Sequence, residues 1–157
     1  MSVTYPNIPN HDAFTELKQL INKIPQATEQ ITVLSDQYLS AVRDTDAHSL
    51  ETQIQQLTVE TSDISKTIKT KLSLLNRKIT PLEKFLYDNL VLKFQTTGSE
   101  FLAKLSEFRR LSRNKIHRSL RIVDPTLTEE QIDTAIELDT INQIVTSHLI
   151  DKKLDDT

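Results

Sequence analysis

Apolar residues recur along this chain at alternating intervals of three and four, in three separate stretches. The first stripe is Phe14, Leu17, Ile21, Ile24, Thr28, Ile31, Ser35, Tyr38 and Val42, and the second is Ala47, Leu50, Ile54, Leu57, Thr61, Ile64, Ile68, Lys71 and Leu75. The third is Tyr87, Val91, Phe94, Gly98, Phe101, Leu105, Phe108 and Ser112. A mean interval near 3.5 residues keeps one helical face turned toward a neighbour over many turns. The spacing predicts helices over about 11–43, 47–75 and 81–120, after a flexible lead-in at 1–10 and before an acidic linker at 122–157.

Local signals punctuate these stretches. Pro25 predicts a kink or a fresh helix start, because proline lacks the amide donor and crowds the preceding turn. Asp44, Thr45 and Asp46 offer capping oxygens to the second helix. Thr80-Pro81-Leu82-Glu83 joins a hydroxyl cap, a first-turn proline and a glutamate that can reach back. Asp124-Pro125 ends the third helix, and Thr128-Glu129-Glu130-Gln131 opens a shorter amphipathic one carrying Ile132, Ala135, Ile136, Ile141, Ile144, Val145 and Leu149. The closing run from Asp151 to Thr157 reads as a cut within a longer chain. Short connections make neighbouring helices antiparallel, so the expected fold is all-α: an elongated, left-handed, up-down-up antiparallel three-helix bundle plus a C-terminal linker helix.

Composition narrows the chemistry. Cysteine is absent, which removes disulfides and thiolate sites. Gly98 is the single glycine, and phosphate-cradling loops need two or three at fixed offsets. Its place on the third stripe predicts a close approach by a neighbouring helix. His11, His48, His117 and His148 are scattered, and the carboxylates form no inward pairs, so no catalytic, cofactor or metal site is expected. No apolar run is long enough to span a bilayer, and a soluble monomer is expected. The net charge of −3 hides a strong asymmetry: residues 77–121 hold 11 cations against 4 acids, whereas 122–157 hold 2 against 9. The cations include Arg109, Arg110, Arg113, Lys115, Arg118 and Arg121, a run that suits a solvated helix end, an anionic membrane surface or the acidic linker. Without interleaved exposed aromatics, nucleic acid is not an expected partner.

The third helix also carries surplus apolar surface. Taking about 100° per residue from Phe94, Leu86 falls near −80°, Leu111 near −100° and Leu102 near +80°. The resulting arc of about 180° exceeds the roughly 100° that one buried face requires. Contact with two neighbours in a bundle widens the arc, and so does a docking site for a further helix.

The segment from Phe94 to Glu137 resembles the end of the third helix and the linker of syntaxins. It holds Phe94-x6-Phe101-x6-Phe108, then Arg118-Ser119-Leu120-Arg121-Ile122, then Leu127 to Glu137 opening on Thr128-Glu129-Glu130. The pattern is most similar to plasma-membrane syntaxins, including the fungal Sso type. The resemblance implies the N-terminal Habc bundle of a t-SNARE, a non-enzymatic domain that folds back on its own SNARE motif, restrains assembly with other SNAREs and binds SM-family proteins in vesicle fusion. On that basis Leu86, Leu90, Leu102 and Leu111 form one wall of the groove for the SNARE helix, Val59 and Leu72 form the other, and Ile136 and Glu137 are linker contacts. The full-length protein would be anchored at the cytosolic face of the plasma membrane. This sequence shows no SNARE motif, no anchor and no Asp-Arg-Thr-x-x-Leu-type N-terminal peptide, and so reads as a regulatory piece alone. The alternative is a structural coiled-coil scaffold or tethering subunit that spends the apolar arc on permanent oligomerisation.

Overall fold

The computed structural model describes residues 9–138. Among them lie three long helices, α1 (His11–Ser40), α2 (Asp44–Asn76) and α3 (Lys84–Val123), with a further helical segment over 129–138 and no strand. Cross-helix contacts fix their directions. Glu16 pairs with Lys71 at 2.7 Å and the Tyr38 hydroxyl donates to Glu51 at 3.1 Å, so α1 and α2 are antiparallel. Lys93 donates to Asn22 at 2.8 Å, and the Tyr38 and Phe108 rings meet edge-to-face at 5.2 Å, so α3 runs parallel to α1. The arrangement is the antiparallel up-down-up three-helix bundle.

The core follows the stripes closely on α1, where Phe14, Leu17, Ile21, Ile24, Ile31 and Tyr38 are all buried. From α2 come Ile54, Ile68, Leu72 and Leu75, and from α3 come Leu90, Phe101, Leu105 and Phe108. Each such side chain contributes about 1.5–3 kcal/mol of transfer free energy. The same burial explains why α1 runs unbroken through Pro25, which sits on the solvent side between buried Ile24 and Ala27. An interior proline costs about 3 kcal/mol, less than the packing gained on both sides of it.

Three expectations need correction. α1 ends at Ser40, leaving Val42 95% exposed in the turn and not on the core stripe. α2 begins at Asp44 without a side-chain cap bond, so Asp44 and Asp46 act in its first turn, where negative charge suits the helix dipole. Gly98 is not closely approached: a Cβ built there meets no atom within 4 Å.

The turn before α3 forms around Glu83. Its Oε1 accepts the Thr80 N–H at 3.1 Å, as a capping box requires, and the Thr80 hydroxyl donates to that same oxygen at 3.1 Å. The cap of α1 joins this turn, for Asn10 donates its N–H to Oε2 at 3.2 Å and its side-chain amide to Oε1 at 3.0 Å. Burial works to raise the Glu83 carboxyl, but the hydrogen bonds from Thr80 and Asn10 outweigh it and hold the group below its ordinary value.

The chain divides into two compact units, Met1–Phe108 and Arg109–Thr157. The first holds the bundle. In the second, Asp124 accepts the Thr126 hydroxyl at 2.6 Å and its N–H at 3.0 Å, closing the turn around Pro125. Thr128 and Gln131 then form a reciprocal capping box at 3.0 and 3.2 Å, and Ile132 is fully buried. Residues 1–8 of the expected lead-in, and Ile141, Ile144, Val145, His148 and Leu149 of the linker, lie outside the described residues.

Candidate partner-binding surfaces

Burial on α3 is displaced from the line through Phe94. Leu90, Thr97 and Phe101 are the buried positions, while Tyr87, Val91, Phe94 and Gly98 are half-exposed and Leu102 is 62% exposed. The expected centre of the stripe is therefore the edge of the buried arc. Leu90 and Thr97 sit about 40–60° to one side of Phe94, and Gly98 and Leu102 about 40–80° to the other. One flank of the helix is packed and the other is an apolar strip with open space at Gly98.

The expected groove residues separate accordingly. Leu72 and Leu90, at 6% and 4% exposure, belong to the core and cannot wall an open groove. Both lie close to the true packing seam, which is rotated from the one drawn through Phe94. Leu86 is half-buried against the core, whereas Val59 and Leu102 are exposed. Leu111 is half-buried in the second unit. The spacing puts Val91, Phe94 and Gly98 on the core stripe, yet they are half-exposed and form the half-covered strip. Phe85 and Leu92, 73% and 62% exposed, face away from the core stripe and are not marked by its spacing. Their seven-residue separation was the available signal. A cleft of about 720 Å³ lies elsewhere in the bundle, between α1 and α2, with Val33, Leu34 and Leu57 among glutamines and the acids Glu29 and Glu60.

In the second unit the basic end of α3 grips the acidic linker. Asp133 Oδ1 lies 3.0 Å from Arg113 Nη2 and 3.0 Å from His117 Nε2, and Arg121 reaches Glu129 at 3.3 Å. The hydrogen bond with His117 is the main influence holding the Asp133 carboxyl below its ordinary value; desolvation opposes it and Arg113 adds to it. The geometry reflects matched spacing: Arg113, His117 and Arg121 recur every four residues, as do Glu129 and Asp133, so each set lines one helical face. That spacing was legible in the sequence. Of the two expected linker contacts, Ile136 is half-buried and Glu137 exposed, while Ile132 is fully buried. Arg109, Arg110 and Arg118 remain exposed, and Lys115 is half-buried.

Among the described residues no helix is long and apolar enough to cross a membrane. No protein-family model matches the chain, and no curated protein matches it in sequence. A search of solved structures finds a chain in the crystal structure of the Unc18–syntaxin 1 complex from Monosiga brevicollis, with a TM-score of 0.71 and 20% identity over 97% of this chain and 76% of that one. At that identity the likeness is one of fold, and the fold is syntaxin-like: all-helical, a three-helix bundle followed by a further helix.

Proposed function

We propose that this chain is the N-terminal regulatory domain of a syntaxin-like t-SNARE. The bundle receives the SNARE helix of its own full-length protein against the half-covered flank of α3 and so restrains SNARE assembly. The reading is supported above all by the strip of Val91, Phe94, Gly98 and Leu102, which is apolar, only partly covered, and open where Gly98 lacks a side chain. A helix laid there would meet Val91 and Phe94 as knobs and use the space beside Gly98 for a knob of its own. Val59 remains a candidate for the rim, whereas Leu86, near −80°, lies on the packed flank. An SM-family protein is the expected second partner, in keeping with a fold neighbour solved as a complex with Unc18. The plasma-membrane and fungal assignments rest on the sequence resemblance over Phe94 to Glu137.

The direct test is calorimetric titration with a SNARE-motif peptide from a plasma-membrane syntaxin. Binding to the wild-type bundle should weaken at least about tenfold in Leu102→Glu, because a charge would enter an apolar contact. Equal affinity for both proteins would remove the α3 flank from the interface.

The scaffold alternative draws on Phe85 and Leu92, exposed one heptad apart on the opposite face of α3. It requires a stable dimer or trimer in sedimentation across concentrations, whereas the regulatory reading requires a monomer.

A further inference from the structure

The last turns of α3 carry a second surface, distinct from the strip around Gly98. No acidic residue occurs between Glu107 and Asp124, an interval that holds Arg109, Arg110, Arg113, Lys115, Arg118 and Arg121. Arg113 and Arg121 are engaged by the linker acids, but Arg109, Arg110 and Arg118 are exposed and form no salt bridge among the described residues. Directly after them Ile122 and Val123 are 82% and 83% exposed. On a helix turning about 100° per residue, Arg118 and Ile122 stand one turn apart and about 100–140° round from His117, away from the face that holds the linker. Two large aliphatic side chains in water beside unpaired guanidinium groups are costly to leave uncovered and are suited to one kind of surface.

We propose that this end of α3 binds an anionic lipid bilayer, with Arg109 and Arg118 on lipid phosphates at the two edges of the face opposite the linker and Ile122 and Val123 between them entering the headgroup layer. Guanidinium groups match phosphate oxygens in a fork, and cations near an anionic leaflet each add attraction that salt screens. Aliphatic insertion beside a basic cluster is the signature of an interfacial helix. Nucleic acid fits less well, since residues 109–138 contain no Phe, Tyr or Trp on which bases could stack. The chain's net charge of −3 makes the attraction local to this patch, so binding must be strongest at low salt. The surface does not depend on the docking of a SNARE helix and is tested separately from it.

Vesicle co-sedimentation decides the matter, using phosphatidylcholine alone and phosphatidylcholine with about one-third phosphatidylserine. The full chain should partition onto the anionic vesicles only, and lose that binding in high salt. Arg118→Glu should weaken partitioning about tenfold or more, by removing one positive charge and adding a negative one. The pair Ile122→Ser and Val123→Ser should weaken it comparably while leaving helical content and melting temperature unchanged, since both positions are already solvated. Absence of binding to anionic vesicles at low salt overturns the proposal. So does binding that both variants retain, or equal affinity for single-stranded DNA that the serine pair leaves untouched.

Discussion

Asn10 and Glu83, 73 residues apart, share two hydrogen bonds, the backbone N–H of Asn10 on Oε2 and its side-chain amide on Oε1. The same amide group reaches the Lys78 carbonyl at 3.1 Å. The start of α1 is thereby tied to the turn between α2 and α3, and a carboxylate that is 1% exposed has every oxygen occupied. Asn10→Ala should lower the urea midpoint, since it removes the side-chain amide that serves both Glu83 Oε1 and the Lys78 carbonyl. Glu83→Gln should destabilise more than the exposed control Glu100→Gln.

The pH dependence of that tie has a definite sign. Because the folded Glu83 carboxyl is held below its ordinary value, the folded state favours the charged form. Its stabilisation is fully present above the ordinary value of 4.5 and is lost as pH falls through the lower folded value. Urea midpoints taken between neutral pH and about pH 3 should fall less steeply in Glu83→Gln than in the wild type.

Burial along α3 predicts an ordered mutational series. Phe101→Ala and Phe108→Ala, at 5% and 7% exposure, should each cost about 3–5 kcal/mol, and Phe94→Ala clearly less. Gly98→Ala should stabilise by about 0.5–1 kcal/mol, since the new methyl meets no atom within 4 Å and helix propensity improves. Thermal or urea unfolding checks both. A destabilised Gly98→Ala would mean that the space beside α3 is closed.

The legible and illegible parts of this molecule divide along physical lines. Periodicity located every long helix, because burying one stripe per helix is what a bundle requires, and α1 follows its stripe up to Tyr38 except that Ala27 is buried where the spacing selects Thr28. The helix ends were less legible: Val42 kept the spacing although the chain had already turned at Ala41. On α3 a few tens of degrees separate buried from half-exposed positions. A stripe drawn through Phe94 makes Leu90 a groove residue and Val91 a core one, whereas Leu90 is buried and Val91 is half-exposed at the edge of the core. The Asn10–Glu83 tie joins positions distant in sequence, and no local pattern announces it. Arg113, His117, Glu129 and Asp133 show the opposite case, with a four-residue repeat visible on both helices of the contact.

That linker contact should respond to acid and to salt. Asp133 is held below its ordinary value, so its grip on His117 and Arg113 is retained above that value and weakens as pH drops through the folded one. High salt should loosen the exposed pairs further. Amide exchange over residues 129–138 should quicken in Asp133→Asn, and more so in Ile132→Ala, which removes a fully buried side chain.

Whether the flank of α3 around Gly98 accepts a further helix is decided by the amide-shift map of the labelled chain on addition of a SNARE-motif peptide. Shifts should concentrate from Val91 to Leu102 and reach α2 near Val59. Shifts concentrated instead around Gln30, Val33 and Leu57, in the cleft between α1 and α2, would take the docking site away from α3.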